Sequence, residues 1–399
     1  MTSARTALTA LAATLAIQVY VSFAASAAAV LAPEIARDFG VEARWIGAFV
    51  GLVYAGGMFA SLASGGFIER YGSIRVSQAC VVLCALGVIA MSSAPEHAVA
   101  LLALAALVIG LGYGPITPAS SQLLQRTASP SRMALTFSIK QTGVPAGAAL
   151  SGALLPALAL ATGWRTAFAL VALTGVVIVA IAQPVRAGLD AERKPHGRFT
   201  FAAIFAPLAL LRASRALLDL ALVSFAYSAS QMCLTSFLVV YLTESLHFSL
   251  VAAGLALTSA TLGGVAGRIG WGYVADRWLP PHFVLVVIGL CAGLCGIGMA
   301  LATPAWPPAA IVALAAVFGA TAIGWNGVQL SEVARLAPPG SAGKVTGATG
   351  FVTFAGVVVG PPSFALLSSV SSYRVGFVAF AGASVVAALA LLRSRDRIQ

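Results

Sequence analysis

The chain has 399 residues, of which 60% are hydrophobic and only 9% charged, against about 25% charged in a soluble domain. Most of it therefore cannot face water, and an ordinary soluble enzyme is excluded. The formal charge of +11 does not mark a nucleic-acid-binding surface either, because the basic residues stand singly among apolar runs, as anchors at a membrane interface do.

A helix that crosses a bilayer needs about 20 apolar residues, and twelve such runs can be marked along the chain. The first, 7–31, follows Arg5 and contains Ala25-Ser26-Ala27, which resembles a signal-cleavage site. Its length is about twice that of a signal-peptide core, so it is expected to be an uncleaved first spanning helix. The next five runs are 46–67, 74–93, 99–122, 133–161 and 165–186. After the polar stretch 187–216, which holds Asp190, Glu192, Arg193, Lys194, Pro195, His196, Gly197 and Arg198, come 217–242, 250–274, 282–302, 308–331, 345–369 and 373–392. The expected organisation is a six-helix bundle over 1–187, a central cytoplasmic loop over 188–216 and a second six-helix bundle over 217–399.

Of the 23 lysines and arginines, seventeen fall on the side holding both termini, Arg5, Arg70, Arg75, Arg126 and Arg393 among them. Only Arg37, Arg44, Arg165 and Arg374 fall on the other side. Basic residues accumulate on the cytoplasmic side, so both termini are expected there. The five cysteines lie inside apolar runs without C-x-x-C spacing or a nearby histidine cluster, and the four histidines are far apart. No metal and no cofactor are expected. The chain also lacks a G-x-x-x-x-G-K-[ST] phosphate loop and any H-E-x-x-H group, so neither ATP-driven pumping nor metalloenzyme chemistry can arise within it.

The two halves share a motif. Gly65-Gly66-Phe67-Ile68-Glu69-Arg70-Tyr71-Gly72-Ser73-Ile74-Arg75 separates the second and third runs, and Gly272-Tyr273-Val274-Ala275-Asp276-Arg277 separates the eighth and ninth. Both read G-x-x-x-[DE]-R, with first glycines 207 residues apart (272 − 65). Twelve spans, a central loop and this doubled motif resemble the major facilitator superfamily over nearly the whole chain. The family's loop motif is G-x-x-x-D-R-x-G-R-R. Gly65, Arg70 and Gly72 match it, Glu69 replaces the aspartate, Ser73 and Ile74 replace the basic pair, and Arg75 comes one place late. The resemblance implies an all-α membrane protein with two pseudo-symmetric six-helix bundles, working as a transporter. It also implies that Gly65, Glu69, Arg70, Gly72, Arg75, Gly272, Asp276 and Arg277 form gating motifs that latch the cytoplasmic side. Glu69 or Asp276 could do this by accepting hydrogen bonds from a helix N-terminus.

Two charges remain inside apolar runs, Lys140 in the fifth and Arg268 in the eighth. At 1.5 Å per residue they lie about 10 and 12 Å in from the same membrane edge. A basic residue at the bilayer centre costs about 2.5–3.5 kcal/mol and marks a functional site by default. No carboxylate lies mid-span; Glu332, at the end of the tenth run, comes nearest. Lys140 and Arg268 are therefore expected to clamp an anionic, carboxylate-bearing substrate, the arginine as a bidentate fork and the lysine as a point charge. The alternative for both is snorkelling to the interface, and for Arg268 also pairing with a motif carboxylate. Arg268 on helix 8 also resembles the monocarboxylate and oxalate–formate branches of the superfamily.

Polar residues at helical spacing are candidates for the cavity lining: Gln141 beside Lys140, Tyr113 with Thr117 and Ser120, Tyr227 with Gln231, Gln18 and Tyr20, and Trp325 with Asn326 and Gln329. Their alternative role is to join helices. The function expected is secondary transport of a small organic anion across a bacterial inner membrane by a monomer, with a co-transported proton as a candidate partner. A multidrug exporter of the same superfamily would call for a membrane-embedded acid, and a polytopic receptor or enzyme for a convergent catalytic group. Neither feature is present in the sequence.

Overall fold

The computed structural model describes residues 4–42, 46–191, 193 and 202–394. Arg44, Glu192, Lys194, Pro195, His196, Gly197, Arg198 and the last five residues of the chain lie outside the described residues. Within a bilayer no water can satisfy backbone N–H and C=O groups, so apolar runs must bond within themselves. The described regular elements are accordingly helices, and twelve candidate spans are long and apolar enough to cross a membrane.

Most spans are single helices: α1 (Ala4–Val30), α3 (Ile46–Tyr71), α4 (Ser73–Ser92), α9 (Trp164–Leu189), α11 (Arg215–Glu244), α12 (Leu250–Arg277), α13 (Pro281–Leu301), α16 (Ala342–Val370) and α17 (Tyr373–Ser394). The fourth span is broken at Gly114-Pro115 into α5 (Val99–Tyr113) and α6 (Ile116–Thr127), where proline brings no N–H to continue the ladder. The tenth is broken at Ile323-Gly324-Trp325 into α14 (Pro308–Ala322) and α15 (Asn326–Leu336). A 3₁₀ turn at Pro130–Arg132 leads into the fifth, which consists of α7 (Met133–Gln141) and α8 (Gly143–Thr162).

Three features differ from the sequence expectation. The short helix α2 (Ala32–Phe39) follows the first span and is closed by Gly40 at φ 64°. Part of the stretch expected as a central loop is helical, α10 (Ala202–Ala213). The two motif copies are not interhelical turns: Gly65–Tyr71 forms the last turns of α3, and Gly272–Arg277 those of α12.

The chain divides into two compact units. The first contains Met1–Ala128, Lys140–Leu210 and Ala337–Phe351; the second contains Ser129–Ile139, Leu211–Leu336 and Val352–Gln399. In the first unit α3 and α4 both pack on α5, and α1 packs on α8. Helices α3 and α5 approach so closely that a Cβ added to Gly56 would lie 2.9 Å from the Leu107 carbonyl. In the second unit α12 packs on α14 through Gly263, 207 residues after Gly56, so the repeat spacing of the motifs extends into the packing faces. The second unit also holds an aromatic core in which Tyr241 and Phe364 surround Phe377 at centroid distances of 5.1 and 5.3 Å. The Tyr241 hydroxyl there donates to the Met299 carbonyl at 2.9 Å.

Candidate functional site

Lys140, near the C-terminal end of α7, is 1% exposed. Its ammonium donates to Gln18 Oε1 on α1 at 2.7 Å, to Gln141 Oε1 at 3.0 Å and to Thr117 Oγ1 on α6 at 3.4 Å. Gln18 in turn donates from Nε2 to Ser22 Oγ at 3.2 Å, which orients its oxygen toward the lysine. Thr117 is available because the break at Gly114-Pro115 begins α6 just before it. These three acceptors are neutral. They stabilise the ammonium as dipoles, through charge-assisted bonds stronger than neutral ones. Tyr113 lies edge-on to Tyr54 at 6.2 Å.

Arg268, on α12, is also 1% exposed. Its Nε donates to the Ile323 carbonyl at 3.2 Å, and Trp271, one turn along, donates from its indole to the Ala320 carbonyl at 2.9 Å. Both carbonyls belong to the end of α14, where helix carbonyls lack intrahelical partners and cations are favoured. The break in the tenth span thus explains how a buried guanidinium is held: α12 caps the helix end that the break creates.

The same break presents Trp325, which is 1% exposed. Its indole N–H donates to Gln231 Oε1 on α11 at 3.2 Å, and its ring meets Tyr227 edge-on at 5.8 Å. The Tyr227 hydroxyl donates to the Leu285 carbonyl at 2.8 Å. Tyr227, Gln231 and Trp325, three of the residues singled out in the sequence, therefore form one cluster. Asn326 is half-buried at the start of α15. Gln329, one turn on, is buried with its Nε2 donor lacking a hydrogen-bond partner among the described residues. An unsatisfied buried amide costs about 1–3 kcal/mol, which a ligand acceptor would recover. Glu332 is buried and engaged by Arg335 three residues later, with Nε to Oε2 at 2.8 Å.

Within the first unit, Glu69 lies against the first turn of α16, whose third residue is Lys344. It pairs with Lys344 of α16, Nζ to Oε2 at 2.6 Å. Gly65, one turn earlier, permits this approach, since a Cβ there would lie 2.5 Å from Lys344 Cγ and 2.9 Å from its Cα. Gly72 is the single residue between α3 and α4, at φ 94°. The Arg70 guanidinium lies 5.3 Å from the Tyr71 ring centroid, and the Arg75 side chain is exposed. In the second unit Asp276 caps α7, its two carboxylate oxygens accepting from the Ala134 and Leu135 amides at 2.9 and 2.8 Å. Gly272 faces Ser138 of α7, whose hydroxyl a Cβ would strike, and Arg277 is exposed.

Two further residues of the first unit carried no recognisable signal in the sequence. Asp190 accepts from the Ile74 and Arg75 amides, both at 2.9 Å, and so caps α4 from 116 residues away in the chain. Burial pushes its carboxyl above the ordinary range, while the two amides, Arg126 and Arg186 draw it back. Gln122 of α6 donates to the Gly340 carbonyl at 2.9 Å and accepts from the Gly343 amide at 2.7 Å. A lone aspartate after a helix and a lone glutamine within one have many possible partners, and only packing selects among them.

The architecture and sequence both have known counterparts. The probable nitrate/nitrite transporter NarK2 of Mycobacterium tuberculosis is 27% identical over 323 residues, covering 79% of this chain and 78% of that protein. The hexuronate transporter of Bacillus subtilis is 23% identical over 154 residues, so the match spans 38% of this chain and only 36% of the relative. The human organic anion transporter MFSD10 superposes with a TM-score of 0.77 at 18% identity, covering 98% of this chain and all of that one, a likeness of fold. The family model described as Major Facilitator Superfamily matches residues 14–361. With twelve candidate spans and that match over most of its length, this multi-pass membrane protein belongs to the major facilitator superfamily of transporters.

Proposed function

We propose that this secondary transporter moves a small organic anion, a carboxylate, by alternating access, and that Lys140 and Arg268 supply the charges that recognise it. One observation carries the reading. Two basic side chains are buried to 1% exposure in apolar spans, where they donate to Gln18, Gln141, Thr117 and the Ile323 carbonyl among their partners. A guanidinium suits the two oxygens of a carboxylate, and an ammonium adds a compact charge. The repeat supports the assignment. Shifted by 207 residues, Arg268 corresponds to Ser61 and Lys140 to Gly347, and Ser61 and Gly347 are joined by a hydrogen bond at 3.3 Å. The two charges thus stand at positions whose counterparts in the other half are small and neutral. Hexuronate, nitrate or nitrite, and 4-hydroxybenzoate, named for the relatives, are all anions.

In this reading Gln141, Tyr113, Tyr227, Gln231, Trp325, Asn326 and Gln329 shape and line the path of the cargo, with the Gln329 amide as a donor awaiting an acceptor. A proton accompanies the anion as the candidate coupling ion. The arginine-rich end, with both termini, faces the cytoplasm of a bacterial cell, and the transporter acts as a monomer. The glycine-containing motifs with Glu69, Arg70, Arg75, Asp276 and Arg277 close that end during part of the cycle.

Uptake of labelled mono- and dicarboxylates into proteoliposomes tests the proposal, with and without a pH gradient. Truncating a buried charge that pairs with a ligand costs about 2–5 kcal/mol, so Lys140→Ala and Arg268→Ala should each lower anion uptake at least tenfold while leaving the purified protein folded. Near-normal uptake by either variant would remove that residue from the site, and near-normal uptake by both would remove the reading.

A further inference from the structure

The first unit holds an apolar groove of about 500 Å³ between α3 and α4 with α5 as its floor. Small side chains open it, Ala63 and Ser64 on α3 facing Ala79 and Cys80 on α4, while Leu111 and Pro115 close the back. From Tyr71 to Ala60 the α3 wall runs eleven residues, about 16 Å at 1.5 Å per residue. That is about half of a hydrocarbon core some 30 Å thick, the depth of a single leaflet. The groove lies against exposed Phe67 and Tyr71, 42% and 44% accessible, and their rings stack at 6.4 Å. Aromatic rings of this kind mark the headgroup level of a bilayer.

The charge at the mouth is positive. Arg75 lines the groove, its side chain is exposed, and among the described residues its guanidinium makes no hydrogen bond or ion pair; only its backbone amide is engaged, by Asp190. Arg70, one turn away across Gly72, lies over the Tyr71 ring. An apolar slot one leaflet deep, opening beneath an arginine without a counter-charge, complements one kind of molecule. We propose that this groove binds an anionic phospholipid, with an acyl chain between α3 and α4 and the headgroup phosphate on Arg75. Basic sites between membrane helices favour anionic headgroups in this way. Because the floor includes Pro115, at the break between α5 and α6, an occupied groove would also brace the helix pair that presents Thr117 to Lys140.

Native mass spectrometry of the full-length, delipidated protein tests this with phosphatidylglycerol and phosphatidylcholine of identical chains. The wild type should retain phosphatidylglycerol in preference. Arg75→Gln should lower that retention about five-fold, the factor expected for one basic residue at an anionic surface, and bring it toward that of phosphatidylcholine. Ala79→Phe, which fills the slot, should lower retention of both lipids; Ala63→Leu on the opposite wall serves the same purpose should the first variant fail to fold. Size-exclusion profiles establish that each variant is intact. Unchanged phosphatidylglycerol retention in both Arg75→Gln and the slot-filling variant would overturn the assignment. So would conversion of a dimer to a monomer by slot filling, since a second copy of the chain would then be the occupant.

Discussion

Replacing Gly65 by alanine asks whether steric fit or charge holds the start of α16 against the end of α3. Carbon atoms in ordinary contact sit about 3.5–4.0 Å apart, whereas the added Cβ would lie 2.9 Å from Lys344 Cα and 2.5 Å from its Cγ. Rotating the lysine side chain swings Cγ clear but leaves Cα where it is, so the two helices must part by roughly 0.6 Å to reach van der Waals separation. Overpacking of this kind costs about 1–3 kcal/mol, or about a five- to 140-fold rise in the population in which α16 is released, taking about 1.4 kcal/mol per factor of ten. The Glu69–Lys344 pair is about one-third exposed on each side, and exposed pairs contribute about 0.2–1 kcal/mol. Glu69→Gln should therefore raise the same population only about one- to five-fold. Hydrogen exchange of the amides in Ala337–Phe351, compared with wild type in the same nanodiscs, measures this directly. If Glu69→Gln released the segment as strongly as Gly65→Ala, the ion pair and not the close approach would be holding the helices together, and the steric argument would be refuted.

Further predictions concern two helix caps, one in each unit. Asp276→Ala removes both acceptors from the Ala134 and Leu135 amides, and loss of an N-terminal cap costs about 0.5–2 kcal/mol; amides of α7 should exchange correspondingly faster, with little change in α3. Asp190 has its folded-state carboxyl raised by burial, so its contribution to stability is greatest below the ordinary aspartate value of about 3.9 and falls as pH rises through the raised folded value. Thermal unfolding from pH 3.5 to 7 should therefore show the wild type losing stability relative to Asp190→Asn as pH increases across that window. A constant difference would show that the amides and Arg126 fully compensate the burial.

The sequence alone determined the class of solvent and the number of crossings. Runs such as 282–302 carry no charge, and hydrocarbon leaves such a segment no choice but a helix that satisfies its own backbone. It also isolated Lys140 and Arg268, because a charge in an apolar run is conspicuous whatever surrounds it, and it displayed the doubled G-x-x-x-[DE]-R motif. Partners were another matter. Glu69 and Asp276 occupy equivalent motif positions, yet one pairs with a lysine side chain and the other caps a helix; Asp190 caps α4 across 116 residues. The break at Ile323-Gly324-Trp325, which creates the carbonyl that Arg268 holds, likewise falls inside an unbroken apolar run. Hydropathy and periodicity report what each residue's surroundings must be like, whereas the atom it touches depends on how helices distant in sequence pack, and that is decided only when the chain is folded.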